Sequence, residues 1–162
     1  MHLNPAVFDV WVFRHAPAGV EYLLLQTSEV KAQRHFNGGR FWQIPSGVFL
    51  DGEIVTTAVD RVLAACGLEA RGGIWAAEHA YTIYNRRFSE IQIITVYAAE
   101  VGMDDPQVNP AEHSAFRWLP YEAALAAVHF RGLKDGLRSV QEYITGPASP
   151  APELCLRSGH DG

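Results

Sequence analysis

Several features are scarce in this chain of 162 residues, and each scarcity narrows what it can do. Only two cysteines are present, Cys66 and Cys155, so neither a disulfide framework nor a cysteine metal site is expected. No apolar run approaches the roughly 20 residues that cross a bilayer, and the first ten residues lack the features of a secretory signal. The net charge of −5 argues against binding to a nucleic-acid backbone. The composition therefore predicts a cytoplasmic domain with no membrane and no nucleic-acid polymer among its partners.

The apolar content predicts one folded domain with a tail. Hydrophobic residues make up 48% and charged residues 19% of the chain, which is ordinary for a globular protein with a buried core. After residue 145 the sequence becomes rich in proline, glycine and serine. We therefore expect a domain over residues 1–145 and a disordered tail over residues 146–162.

Alternating strand and helix patterns indicate an α/β fold with helices packed on a mixed sheet. Residues 7–14 and 20–27 are rich in β-branched and aromatic residues and predict an antiparallel hairpin. A polar, basic loop is expected over residues 28–40. Further strands are predicted at 74–84, 88–100 and 112–119, and helices at 120–128 and 130–144.

The most informative stretch runs from Phe41 to Leu68, FWQIPSGVFLDGEIVTTAVDRVLAACGL. Its pattern predicts a strand, a glycine-containing loop and a helix that Gly67 ends. The stretch resembles the Nudix box, G-x5-E-x7-R-E-U-x-E-E-x-G-U, where U is a bulky apolar residue. Gly47, Glu53 and Arg61 stand at the family's spacing.

The metal-binding part of the box pattern is missing. Counted forward from Arg61, the family's three glutamates fall on Val62, Ala65 and Cys66, and the closing glycine comes one residue early. Counted backward from Gly67, the arginine falls on Asp60, and the glutamates fall on Arg61, Ala64 and Ala65. Neither register keeps a carboxylate on that face of the helix.

The resemblance extends beyond the box. The segment EHSAFRWLP, from Glu112 to Pro120, is similar to one in Nudix proteins known as dATP, dihydroneopterin-triphosphate or dinucleoside-polyphosphate pyrophosphohydrolases. The resemblance implies an α/β/α sandwich and hydrolysis of a nucleoside diphosphate linked to another group X. It also implies a small nucleotide-like ligand, and Mg²⁺ or Mn²⁺ as cofactor if the chain is active. A homodimer is a further possibility within the family.

Loss of the acidic face predicts that this hydrolysis is weak or lost. Magnesium and manganese neutralise the pyrophosphate charge and activate water, and both ions prefer carboxylate ligands. Val62, Ala65 and Cys66 offer no oxygen ligand for either ion. Two alternatives remain open, a non-catalytic nucleotide-binding sensor or regulator and a dimeric protein-interaction module.

The candidate site residues form four groups. Glu53 and Glu112 are the catalytic candidates, although a structural contact that ties the loop to Arg61 is the favoured interpretation of Glu53. Asp60 and Glu112 are the candidates for a metal ligand. The box scaffold consists of Gly47, Arg61 and Gly67. Possible substrate-binding residues, which can instead be core aromatics or solvated charges, are Arg40, Trp42, Tyr81, Arg86 and Arg87.

Overall fold

The structure is a computed structural model that describes residues 1–35 and 41–159. Nine strands and four α-helices are present in these ranges. The strands are β1 (His2–Asn4), β2 (Val7–Ala16), β3 (Gly19–Thr27), β4 (Trp42–Gln43), β5 (Ser46–Val48), β6 (Gly73–Asn85), β7 (Glu90–Glu100), β8 (His113–Leu119) and β9 (Cys155–Ser158). The helices are α1 (Glu29–His35), α2 (Val55–Ala65), α3 (Tyr121–Ala127) and α4 (Arg131–Val140).

The strands form one mixed sheet with the order β4-β3-β2-β7-β6-β9. Strands β2 and β7 run parallel in its centre, while the β2–β3 and β6–β7 pairs are antiparallel. The short strand β5 pairs with the start of β2, opposite Asp9, and β8 pairs with β3. The box segment therefore lies directly beside the central strand.

Strand β2 divides the core between the two faces of the sheet, because successive side chains of a strand point to opposite sides. Phe8, Val10 and Val12 join the core that α2 covers. Trp11 and Phe13 join the opposite core, which α3 and α4 cover. Helices on both faces of a mixed sheet confirm the predicted α/β/α sandwich.

Helix α2 presents one buried face to the sheet and ends in the way its sequence predicts. Its buried residues are Ala58, Val59, Val62 and Leu63. The chain then reverses at Gly67, which has a φ of +70°. The Leu68 amide donates to the Leu63 carbonyl at 2.9 Å, which closes the helix end in a Schellman-type motif.

Residues 28–40 were predicted as a polar loop, but their described part contains helix α1. Ser28 begins this helix, because its hydroxyl accepts a hydrogen bond from the Lys31 amide at 3.1 Å. The helix is short, and Ala32 is its one buried apolar residue among those whose side chains are described. A single buried position gives no helical periodicity to read from the sequence.

The C-terminal segment also differs from expectation, since residues 146–159 fold onto the domain. Strand β9 pairs antiparallel with β6, opposite Gly73 to Trp75. Arg157 on this strand donates two hydrogen bonds of 2.7 Å to the carboxylate of Asp60 on α2. Backbone pairing and this fork overcome the poor local propensity that led to the prediction of disorder. Within residues 1–35 and 41–159, no helix is long and apolar enough to cross a membrane.

Candidate functional site

A cleft of about 310 Å³ lies between the C-terminal half of α2 and the segment that precedes β8. We call it the box cleft. The helix contributes Arg61, Val62, Ala65 and Cys66 to its wall. Lys31 of α1 lies across from them. The remaining lining residues are Leu25, Gln43, Ile44, Pro45, Ser46, Gly47, Gln107, Val108, Asn109, Glu112 and His113.

The geometry of α2 agrees with the forward reading of the box. Positions 62, 65 and 66 all line the box cleft, because residues three and four apart share one helical face. Neither Asp60 nor Ala64 lines it. The three positions at which the family pattern has glutamate are therefore occupied, on the cleft wall, by an apolar side chain, a methyl group and a thiol.

Glu53 and Arg61 hold the box loop against the helix. The Arg61 guanidinium donates to both carboxylate oxygens of Glu53, at 2.8 and 3.0 Å, and to the Val48 carbonyl at 2.8 Å. The Leu50 amide donates to the same carboxylate at 3.0 Å. The Arg61 hydrogen bonds, followed by the Leu50 amide, hold the pKa of Glu53 below its usual value. Glu53 does not line the cleft, so the alternative of a structural contact describes its position.

Two other carboxylates considered as metal ligands lie in different environments. Asp60 is on α2 but is held by the Arg157 fork, which raises the pKa of Arg157. Glu112 does line the box cleft, and its carboxylate lies 3.1 Å from the Lys31 ammonium. Of the two, only Glu112 is in a position to meet a ligand in this cleft.

The residues of the box cleft do not fit a Mg²⁺ or Mn²⁺ cluster of the kind the family pattern implies. Among the residues that the structure describes, Glu112 is the one carboxylate that lines it, and Lys31 already pairs with that carboxylate. Burial raises the pKa of the Cys66 thiol, which keeps it protonated and a poor ligand for a hard cation. Across the described ranges, no group of three histidine, cysteine or acidic side chains is placed to hold a metal ion.

A second and larger cleft, of about 690 Å³, lies between β6 and the N-terminus of α4. We call it the β6 cleft. It shares four lining residues with the box cleft: Lys31, Gln43, Ile44 and Ser46. The two clefts therefore meet, and Lys31 stands at their junction. The other lining residues are Asp9, Tyr81, Thr82, Ile83, Tyr84, Asn85, Phe130, Arg131, Gly132, Leu133 and Asp135.

The buried Asp9 and the half-buried Tyr81 form a hydrogen-bonded pair that lines the β6 cleft. Asp9 is 6% exposed, and the Tyr81 hydroxyl donates a short hydrogen bond to its Oδ2. Burial raises the pKa of Asp9 to about 6, while the Tyr81 hydrogen bond acts in the opposite direction. Burial and the neighbouring carboxylate raise the pKa of Tyr81. The pKa of Asp9 therefore lies nearer to neutral pH than that of an exposed aspartate.

The remaining substrate-binding candidates are not brought together. Trp42 lies on β4, packs against the core beneath α3 and α4, and is covered by the Arg117 guanidinium at 4.8 Å from its ring centroid. Arg86 and Arg87 lie in the turn between β6 and β7, and neither lines either cleft. Arg40 lies outside the described residues. Among the candidates that the structure describes, Tyr81 alone lines a cleft.

Two residues of the clefts were missed in the sequence. Asp9 is the only charged residue in the apolar run VFDVWVF, and a carboxylate in a buried strand is a signal in itself. Lys31 could be noticed only as one cation of the basic segment 28–40, which can either bind phosphate or be solvated, because its own position depends on helix α1, which the sequence pattern does not show.

Gly47 is a scaffold residue at a position that leaves no room for a side chain, and a substitution can test this. A Cβ atom there would lie 2.7 Å from Val62 Cγ2 and 3.0 Å from Phe8 Cζ, both within the core. We expect Gly47→Ala to lower the free energy of unfolding by about 1–3 kcal/mol, as overpacking does. Urea denaturation measures this. Gly102→Ala is the matched control, since no atom lies within 4 Å of its Cβ position; equal effects of the two substitutions would contradict the packing argument.

Comparison with known proteins agrees with this architecture. The sequence model of the NUDIX domain family matches residues 4–139, which is most of the chain. The chain belongs to the Nudix family. Its helix-covered mixed sheet and the loop-and-helix box segment are therefore those of a Nudix domain.

Three solved structures illustrate the likeness of fold. A candidate NUDIX hydrolase from Listeria monocytogenes is 21% identical, with a TM-score of 0.71 over 86% of this chain and 93% of that one. The Ap4A hydrolase of C. elegans, in a binary complex, is 18% identical, with a TM-score of 0.67 over 91% and 100%. The NUDIX domain of Shewanella oneidensis NrtR, complexed with ADP ribose, is 19% identical, with a TM-score of 0.65 over 86% and 87%. At these identities the likeness concerns the fold.

Proposed function

We propose that this Nudix domain binds a small nucleotide-like ligand across the two joined clefts and that its pyrophosphate hydrolysis is weak or lost. The observation that carries the proposal is the cleft wall formed by Val62, Ala65 and Cys66. These side chains occupy the positions at which the family pattern has acidic ligands. The clefts themselves remain open to a ligand.

Lys31 is the group best placed for the phosphate end of such a ligand. It lines both clefts, so a phosphate at their junction would meet its ammonium. The carboxylate of Glu112, 3.1 Å away, neutralises this charge. We propose that the phosphate displaces Glu112, so that a protein cation takes over part of the charge neutralisation that metal ions provide elsewhere in the family.

The comparisons support the ligand class without fixing the ligand. The Nudix domain of S. oneidensis NrtR was solved in complex with ADP ribose, and the C. elegans protein is an Ap4A hydrolase. Both compounds contain a nucleoside joined to a chain of phosphates. We propose the same class here, a nucleoside diphosphate linked to a further group.

One experiment separates binding from hydrolysis. We expect nucleoside triphosphates, dinucleoside polyphosphates, NADH or ADP-ribose to raise the melting temperature without metal, since a ligand that binds the native state stabilises it. With added Mg²⁺ or Mn²⁺, we expect turnover well below roughly 1 s⁻¹, the low end for ordinary enzymes. Coupled phosphate release measures that turnover. Chelator-sensitive turnover near this value would overturn the loss of hydrolysis, and the absence of any stabilising compound would overturn ligand binding.

A regulatory role and a partner-binding role both fit a domain that binds without turnover, and the thermal-shift result distinguishes them. Ligand-dependent stabilisation favours the sensor or regulator. A melting temperature that no nucleotide raises favours the protein-interaction module. The cytoplasmic location and the homodimer stay predictions from the sequence.

A further inference from the structure

The β6 cleft contains a buried carboxyl group that the loss of metal chemistry does not explain. Asp9 lines this cleft, and Tyr81 is the only residue in the described ranges that donates a hydrogen bond to it. That bond ends on Oδ2, so Oδ1 is left without a donor from the described protein. A carboxyl group of a largely buried residue that lines a cleft with one oxygen not bonded to the described protein is suited to contact a ligand.

The walls above Asp9 suit a flat ring. Ile44 and Leu133 form buried parts of the wall. Ile83, Tyr84 and Phe130 line the same cleft and are 42%, 57% and 44% exposed. Exposed apolar side chains gathered around a concave site indicate a binding surface. Aromatic rings among them can stack on a planar heterocycle.

The position of Tyr81 is fixed by the backbone opposite. The Tyr81 ring fills the space that a Cβ atom would need at Gly132, on the first turn of α4. His79 packs against the other side of the pair, with its ring centroid 5.9 Å from that of Tyr81. Tyr81 therefore holds Oδ2 in one place, and the proton of a neutral Asp9 is left for Oδ1.

We propose that Asp9 is the specificity-determining contact for the heterocyclic end of the ligand. In its neutral form, Asp9 carries a proton on Oδ1 and donates a hydrogen bond from this atom to a ring nitrogen or a carbonyl oxygen. This inference rests on the proposed function and assigns the β6 cleft to the ring and the junction at Lys31 to the phosphates. An ionised Asp9 has no proton to donate, so it would favour ring amino groups or cations instead.

Binding of an acceptor ring should then take up a proton. Asp9 has a pKa of about 6 in the free protein, and a ligand that binds only the neutral form raises it further. The other charged or titratable groups among the described residues that line the same cleft are Lys31, Tyr81, Tyr84, Arg131 and Asp135. His79, which contacts the ring of Tyr81, is the imidazole packed against the pair.

The test compares the wild-type chain with Asp9→Asn. The amide oxygen can accept from Tyr81 while the amide nitrogen donates towards the cleft at every pH, so this variant imitates neutral Asp9. The probes are adenosine, guanosine, cytidine and uridine 5′-diphosphate without metal, measured by calorimetry at about pH 5 and about pH 8. For the tightest probe we expect the wild-type Kd to rise at least about tenfold between these values. The phosphate of the probe also ionises over this range, and that ionisation changes the Kd of every variant. Beyond this shared change, we expect the Kd of Asp9→Asn to differ by less than about threefold between the two pH values.

Two further variants show whether the contact is direct. Asp9→Leu, which offers no donor, should bind weakly at both pH values. Tyr81→Phe removes the hydrogen bond that lowers the pKa of Asp9, so the loss of affinity should move to higher pH. A purely structural Asp9 would not produce that shift. Asp51→Asn, the same chemical change on an exposed turn outside both clefts, is the matched control and should keep the wild-type pH profile.

The outcomes separate this inference from the function on which it rests. If no probe binds to any variant at either pH, both proposals are overturned. If probes bind but wild type and Asp9→Asn share one pH profile, or if wild-type affinity increases with pH, only the role of Asp9 is overturned. The proposed role of Asp9 is supported if Asp9→Asn keeps its affinity at about pH 8 while the wild type loses affinity there.

Discussion

The double substitution Ala65→Glu/Cys66→Glu is expected to create a Mn²⁺ or Mg²⁺ site in the box cleft. Both positions line the cleft at the end of α2, and Glu112 lines the same cleft. Two added carboxylates would bring the carboxylate ligands in this cleft to three, which suits a hard divalent cation. At a metal concentration about tenfold above Kd, the free energy of unfolding should rise by about 1.4 kcal/mol. Thermal unfolding with Mn²⁺ and with chelator measures the gain.

The design leaves Val62 unchanged for a physical reason. Val62 is 8% exposed and packs against Gly47, whose missing side chain makes room for it. A glutamate there would bring a charge and a longer side chain into that contact, and loss of stability would obscure metal binding. Ala65 is exposed and Cys66 is half-buried, so both tolerate a longer polar side chain.

The charge-matched control is Ala64→Glu/Ala65→Glu, which follows the backward register of the box. Ala64 is exposed and does not line the cleft, so this variant carries the same charge with only one carboxylate in position. We expect little metal-dependent stabilisation from it. Equal stabilisation of both variants would mean that general negative charge explains the effect, and stabilisation of the control alone would show that the backward register is correct.

The local pattern of the box segment was sufficient to predict its scaffold. Gly67 ends α2, and Arg61 meets Glu53, as their spacing indicates. These features depend on residues close in sequence, so a one-dimensional pattern contains them. Helices packed on a mixed sheet could be predicted for the same reason, because strand and helix periodicities and their order limit the possible layers, while the α/β/α arrangement was implied by the resemblance to the Nudix family.

Long-range partners could not be read in the same way. Asp60 was considered as a metal ligand, yet its partner is Arg157, which is 97 residues away. That contact exists because β9 adds to the edge of β6, in a segment whose composition favours disorder. The partnership of Asp9 with Tyr81 spans 72 residues and depends on a register between distant strands. Both contacts depend on backbone pairing between strands that are far apart in the sequence, and no short motif contains that information.

The second large effect expected is on stability, and it comes from Asp9. The folded protein raises the pKa of this carboxyl group from 3.8 to about 6, so the native state holds the proton more tightly than the unfolded chain. Ionisation therefore destabilises the native state, and stability should fall as the pH rises from about 4 to about 6. At about 1.4 kcal/mol for each pKa unit, the penalty above this range is up to roughly 3 kcal/mol.

Asp9→Asn should remove this penalty because it cannot ionise. We expect the variant to exceed the wild type in free energy of unfolding by up to roughly 3 kcal/mol at neutral pH, with the difference vanishing near pH 4. Urea denaturation across this range measures it, and Asp51→Asn provides the same chemical change on an exposed turn. A difference that does not vary with pH would show that Asp9 does not titrate as burial predicts. A purely structural role does not account for Asp9, because an apolar or amide side chain at this position would make the fold more stable. A residue that lowers stability while it lines a ligand-sized cleft is expected to have a functional role.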